Sequence, residues 1–161
     1  MTRLDEQARG VYPISATPFT EIGDIDWESA DRLADFYLNC GVHGLTLLGM
    51  MGEAHKLSLD EAVAFATRML HRIDGRVPVV VGVSAGGLAP MRALTERVMD
   101  AGAAAVLVAP PAGLRTDEQI FEYYRAVVGA LGTDVPVIYQ DYPPTTGVYL
   151  SPVLFLRMVK A

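Results

Sequence analysis

The chain has 161 residues, 51% apolar and 20% charged, with a formal net charge of −6. That length carries one domain with a sizeable core, and that apolar share excludes a disordered chain. The acidic balance, with no Lys/Arg cluster, disfavours nucleic acid and anionic membrane surfaces as partners. A single cysteine, Cys40, excludes an intramolecular disulfide framework and a cysteine zinc site. It reads as a small core residue at a helix end, and a reducing, cytoplasmic setting fits. Met1 to Gly10 is polar, without the apolar core of a signal peptide, and no apolar run reaches membrane-spanning length.

In chain order, Tyr12 to Ala16 is strand-like, and Thr17-Pro18 ends it. Asp26 is a suitable N-cap for a helix from Trp27 to about Asn39, stopped by Gly41. Leu33, Phe36, Tyr37 and Cys40 recur at helical steps and predict its apolar face. Leu45 to Leu48 is a short apolar run, predicting a buried strand. It ends in Gly49-Met50-Met51-Gly52-Glu53, where the glycines permit a tight turn with uncovered N–H groups. Ser58 with Glu61 forms a capping box for a helix from about Leu59 to Ile73.

Pro78 to Val83 has the uniformly β-branched character of a strand buried on both faces. Ser84 to Gly87 turns the chain, and Pro90 suits the first turn of a helix ending at Ala101-Gly102. Ala104 to Ala109 predicts a fourth strand, closed by Pro110-Pro111. Thr116 with Gln119 makes a second capping box, for a helix reaching about Leu131. Val135 to Gln140 predicts a fifth strand, Asp141 to Gly147 a loop, and Ser151-Pro152 the start of a last helix.

Strand and helix thus alternate about every thirty residues without hairpin signals, which argues for parallel strands joined by right-handed crossovers. A doubly wound sheet would be complete at this length, whereas a (β/α)8 barrel needs about 250 residues. Periodicity alone does not separate the two. A strand, a bare turn and a helix in succession is where such proteins seat a carboxylate or phosphate. A plain βα turn, its glycines serving geometry alone, is the blander reading. Gly82-Val83-Ser84-Ala85-Gly86-Gly87 has the wrong spacing for a dinucleotide fingerprint.

Four stretches in register resemble the pyruvate-dependent class I lyases of the dihydrodipicolinate synthase / N-acetylneuraminate lyase family. They are Ala16-Thr17-Pro18-Phe19, Gly49-Met50-Met51-Gly52-Glu53, Pro78 to Val83, and Asp141-Tyr142-Pro143-Pro144-Thr145-Thr146-Gly147. The resemblance implies a (β/α)8 TIM barrel, of which residues 1–161 would supply about five βα units and the start of a following helix. It also implies a homo-oligomer, dimer or tetramer, and Schiff-base chemistry on pyruvate or another 2-oxo acid, with no metal or organic cofactor. Gly49, Met50, Met51, Gly52 and Thr17 are the implied substrate-binding residues.

The departures from the family's pattern are specific. Its G-T-T-G-E threonines, which hold the carboxylate, are Met50 and Met51 here, and a thioether donates no hydrogen bond. The backbone N–H groups of the turn would remain for that task. The family's proton-carrying tyrosine falls on Gln140, which does not titrate near neutral pH. Tyr139, next door, points to the opposite face of a strand unless a bulge intervenes. Tyr142, two residues on, is the better chemical substitute. A second family tyrosine falls on Ala112. These changes argue for an aldolase or dehydratase divergent from dihydrodipicolinate synthase itself.

The family's Schiff-base lysine lies on a sixth strand, beyond the helix that begins at Ser151-Pro152. Lys56 and Lys160 do not match it, so residues 1–161 read as the N-terminal part of a longer enzyme. A non-catalytic 2-oxo-acid-binding or scaffold protein is the alternative, and a five-stranded flavodoxin-like domain is a third. His43 reads as packing, His71 as helix surface, and His55 as a mouth residue. Glu53 reads as a capping group. Asp141 reads equally as a site residue or a loop brace, and Tyr123 and Tyr124 as packing or subunit contact.

Overall fold

Side-chain caps start most of the helices. The Asp26 carboxylate accepts from the N–H of Ser29 and opens helix α1, Trp27–Asn39. Reciprocal Ser58/Glu61 and Thr116/Gln119 capping boxes open α2, Leu59–Ile73, and α4, Asp117–Leu131. Gly87 precedes α3, Leu88–Asp100. A one-turn helix, α5, covers Pro143–Thr146 within the predicted loop, and Ser151 caps α6, Pro152–Lys160. The computed structural model describes residues 3–161.

Between the helices run four parallel strands: β1, Leu45–Leu47; β2, Val79–Gly82; β3, Ala105–Val108; and β4, Val137–Tyr139. Their spatial order is their chain order, β1-β2-β3-β4. The helices contact one another in the same succession, α1 with α2, α2 with α3, α3 with α4, and α4 with α6. A doubly wound sheet reverses its strand order and covers both faces with helices. Here the order never reverses and the helices form one outer layer, so the architecture is an arc of a barrel.

The two strand faces carry different cores. Leu45, Leu47, Val79, Val81, Val106 and Val108 pack outward with Phe65, Met69, Ile73 and Val98 of the helices. Val80, Ala105 and Leu107 form a separate inner cluster with Leu4, Tyr12 and Ile138. Period-two alternation sorts them. Phe65, Met69 and Ile73 are fully buried, and each such side chain contributes roughly 1.5–3 kcal/mol by leaving water. Leu4 reaches the inner cluster because its N–H donates to Ala104 O at 2.9 Å, laying the N-terminal segment against the foot of β3.

Two sequence expectations are corrected. The first predicted strand, Tyr12 to Ala16, is reduced to a single parallel bridge from Ile14 to Thr46. It holds by Ser15 N–H to Thr46 O and Thr46 N–H to Pro13 O, at 2.8 and 2.9 Å; Pro13 has no N–H to add another. On α1, the buried face is Ala30 and Ala34, flanked by partly buried Trp27, Tyr37 and Leu38. Phe36 is 58% exposed, and Cys40 is exposed rather than core. Small alanines let the helix lie close to its neighbours, which turns the larger stripe outward.

Candidate functional site

The site is assembled where the strands end. Beyond β1, Leu48 takes a left-handed conformation with φ 54°. The chain then makes two successive 3-10 turns, Met50–Gly52 and Ala54–Lys56, joined by Glu53, also left-handed at φ 52°. The Gly52 N–H bonds back to Gly49 O at 2.9 Å and the Glu53 N–H to Met50 O at 3.2 Å. Among the described residues, the N–H groups of Met50 and Met51 have no acceptor. Both are donors that the turn offers a ligand.

Thr17 locks the turn from beside it. Its hydroxyl, buried with the rest of the side chain, donates to Gly52 O at 2.6 Å. A Cβ placed on Gly52 would lie 3.2 Å from Ser15 O and 3.8 Å from Thr17 Oγ1, so the turn rests on this segment. Gly49 is equally enclosed: a Cβ there would sit 2.8 Å from Ile14 Cγ2 and 3.6 Å from Gln140 Nε2. The Gln140 carboxamide therefore reaches the Gly49 turn, while the residue's backbone N–H donates to Val108 O at 3.0 Å and holds the end of β3.

Thr17, Gly49, Gly52 and Gln140 thus converge, with Met50 half-buried and Met51 65% exposed. Tyr139 is not part of that group. It packs on the helix side, its ring centroid 5.2 Å from that of Tyr124. Burial, then the Asp141 carboxylate, push its phenol above the usual range, and its buried hydroxyl has no partner. Tyr124 is pushed up for the same leading reason, but its hydroxyl donates to Val108 O at 2.9 Å. Tyr142 is 47% exposed, and its carbonyl caps α5 by accepting from Thr145 and Thr146.

Glu53 is ion-paired with Lys56, both side chains open to solvent. His55 and His71 are exposed. His43 is exposed too, its Nδ1 accepting from the Val11 N–H at 3.2 Å. Lys160 is exposed on α6. Among the described residues, no three His, Cys, Asp or Glu side chains gather as a metal site, and no helix is long and apolar enough to cross a membrane. Two contributors escape sequence reading: Ile14, against Gly49, and Ser84, whose Oγ accepts from the Ala109 N–H at 2.8 Å and ties the ends of β2 and β3. Ser84 directly follows the predicted strand Pro78 to Val83, the one signal that could have marked it.

A singly wound parallel sheet with one helical layer and its donors gathered beyond the strands' C-terminal ends is part of a (β/α)8 barrel. The chain belongs to the dihydrodipicolinate synthetase family, whose model matches residues 7–161. It is 48% identical to a dihydrodipicolinate synthase structure from Rhodopseudomonas palustris, with a TM-score of 0.95 over 99% of this chain and 53% of that one. It is 34% identical to L-2-keto-3-deoxyarabonate dehydratase of Azospirillum brasilense, over 94% of this chain and 50% of the dehydratase. YagE, a prophage protein of the family from E. coli solved with pyruvate, is 28% identical, with a TM-score of 0.85 over 94% of this chain and 50% of YagE. The chain spans about half the length of the curated relatives it matches.

Proposed function

We propose that this chain is the N-terminal part of a single barrel domain whose whole protein is a Schiff-base lyase. It makes or breaks a carbon–carbon bond, or dehydrates a sugar acid, through the imine of pyruvate or a related 2-oxo acid. The observation that carries this reading is the Met50–Gly52 turn, with two free N–H groups held in place by Thr17 in a chain of this family. Two backbone N–H groups satisfy a carboxylate as charge-assisted donors, so the loss of the threonine hydroxyls at Met50 and Met51 is tolerable. The carboxylate fixed there presents the neighbouring carbonyl carbon to an amine. That amine attacks the carbonyl, a proton is relayed to the departing oxygen, and water leaves as the imine forms.

The dehydratase and the pyruvate-bound relative both support a 2-oxo acid as substrate. Gln140 orients by hydrogen bonding but does not titrate, so proton transfer falls to a tyrosine beside it in the chain, Tyr142 first, whose side chain is open to solvent. Tyr139 is the other candidate, and its packing against Tyr124 on the helix side favours Tyr142 over it. Neither Lys56, paired with Glu53, nor Lys160, in solvent, has the desolvated setting of an amine nucleophile. The nucleophile in this reading is a lysine beyond Ala161, and the whole protein assembles as a dimer or tetramer.

The test is reductive trapping. Pyruvate plus borohydride should add one covalent adduct to the whole protein and none to residues 1–161. An adduct on Lys56 or Lys160 would overturn the assignment of the nucleophile. A second reading rests on Gln140 and the two methionines, none of which titrates: a protein that binds a 2-oxo acid without turning it over. Saturable pyruvate binding with no adduct in the whole protein would favour it.

A further inference from the structure

We infer that Gly82, at the end of β2 and outside the substrate-binding turn, is the positioning residue that sets the course of that turn. The inference rests on the reading of Met50 and Met51 as the carboxylate seat. Its own basis is geometric. Leu48 is the last residue before the turn and stands at φ 54°, a region that side-chain-bearing residues seldom occupy. A residue stays there only when its surroundings dictate it, and such positions cluster at ligand sites.

The surroundings here are Gly82. A Cβ on Gly82 would overlap Leu48 O, and would lie 2.6 Å from Leu48 C and 3.2 Å from Gly49 N. All three atoms are backbone, so no side chain can swing aside to make room. The last registered pair of these strands is Leu47 with Val81, so Leu48 and Gly82 follow directly on it. Gly82 meanwhile stays in register with Leu107 of β3, and the next residue, Val83, bonds to Leu107 O at 3.0 Å. β2 is therefore held from its far side and cannot retreat.

A side chain at position 82 would push back the Leu48 carbonyl and the Gly49 nitrogen. Those atoms lead straight into the two free N–H groups. The same displacement would press Gly49 towards Ile14, which already fills the space beside it. The left-handed Leu48 and the missing Cβ of Gly82 form one device. It turns the chain out of β1 early enough for the next two N–H groups to remain unpaired. A plain strand end would need neither feature.

The experiment compares Gly82→Ala with Val81→Ala in the whole protein. Val81 is the neighbouring residue on the same strand, packed on the helix side. Two readouts are taken: amide hydrogen exchange in the Gly52–Glu53 segment, whose N–H groups bond back to Gly49 O and Met50 O, and pyruvate affinity. Gly82→Ala should speed exchange in that segment by tenfold or more and weaken pyruvate binding by at least tenfold. Val81→Ala should lower the melting temperature yet leave both readouts within twofold. Unchanged exchange and affinity in Gly82→Ala, or an equal loss in Val81→Ala, would overturn the assignment. If the unmodified protein fails to bind pyruvate, the carboxylate-seat reading falls, and the exchange comparison still decides the role of Gly82. Should Gly82→Ala not fold, Leu48→Val serves instead, because a β-branched residue resists positive φ. Leu48→Gly, which accepts it freely, should keep the slow exchange. Equal exchange in those two variants would also sink the idea.

Discussion

Thr17 Oγ1 donates a 2.6 Å hydrogen bond to Gly52 O, joining positions 35 residues apart at the point where the turn meets the first segment. Both residues are buried, so no water replaces the bond if it is lost. Thr17→Val keeps the shape and leaves the Gly52 carbonyl unpaired. That should destabilise the protein by about 1–3 kcal/mol, while Thr17→Ser should recover most of it. Urea unfolding of the three proteins measures this. Pyruvate affinity should fall in the valine variant alone.

Much of this architecture was legible in the chain. The α2 boundaries, Leu59 and Ile73, match the Ser58/Glu61 box at one end and, at the other, Asp74 and Gly75, which both take left-handed conformations, because local hydrogen bonding and backbone preference decide helix ends. Tyr139 and Gln140 facing opposite ways follows from strand alternation alone. The Gln140 carboxamide lying over Gly49 did not follow, because it depends on how the arc curves and brings β4 back towards β1. The failure at Tyr12 to Ala16 has a similar source. Its composition favours a strand, but pairing depends on what neighbours it, and one bridge to Thr46 is all it makes. Periodicity alone left barrel and doubly wound sheet undecided; the four family-like stretches pointed to the barrel, and the unreversed strand order bears that out.

Tyr139 and Tyr142 separate packing from chemistry. Tyr139→Phe removes a buried hydroxyl that has no partner, so stability should hold or rise slightly, and turnover should not change. Tyr142→Phe should leave stability near that of the parent and lower kcat by about 10²–10⁴, the usual worth of a positioned proton donor. Steady-state kinetics on the whole protein compares them. Equal losses in the two variants would contradict the face assignment.

The same buried phenols make an alkaline prediction. Tyr123, Tyr124 and Tyr139 have their pKa raised in the fold, first by burial. A raised folded value means the contribution to stability is present below the unfolded phenol pKa and lost as pH rises above it. Stability should therefore decline above about pH 10, the ordinary tyrosine value. The ionisation of Tyr123, Tyr124 and Tyr139 should therefore be held back towards the unfolding transition. Absorbance titration near the phenolate band, run beside circular dichroism, checks the coincidence.

Two parallel ion pairs bind α1 to α2: Arg68 to Asp31 and Arg72 to Asp35, each through two guanidinium nitrogens. Hydrogen bonds from those arginines, first, hold both carboxyls below their usual range. A lowered folded value means the contribution is present at neutral pH and fades as pH falls through the acid range. The pairs are largely solvent-facing, which limits their worth. Asp31→Asn with Asp35→Asn should lower the melting temperature at pH 7 by a few degrees at most, roughly 2–4 °C. The gap should close in acid or in molar salt. A gap that persists there would mean the aspartates act through packing.

The last prediction concerns the free side of β4. Among the described residues, β1, β2 and β3 are buried throughout, whereas Val137, Ile138 and Tyr139 of β4 are only partly buried. Beside them lies an apolar groove of about 830 Å³, lined by Phe121, Tyr124, Val128, Phe155 and Val159 among others. Outer positions of α6 continue the apolar surface, with Val153 79% and Val159 69% exposed. An open strand edge bordered by such a surface is a template for pairing with another chain. Residues 1–161 alone should therefore associate in a concentration-dependent way and bind a hydrophobic dye. Phe155→Glu with Val159→Glu should suppress both without unfolding the helices, because neither side chain belongs to the fully buried core. Light scattering across a dilution series reads the outcome. A monomer at all concentrations, dark to the dye, would show that the edge is guarded by something other than these side chains.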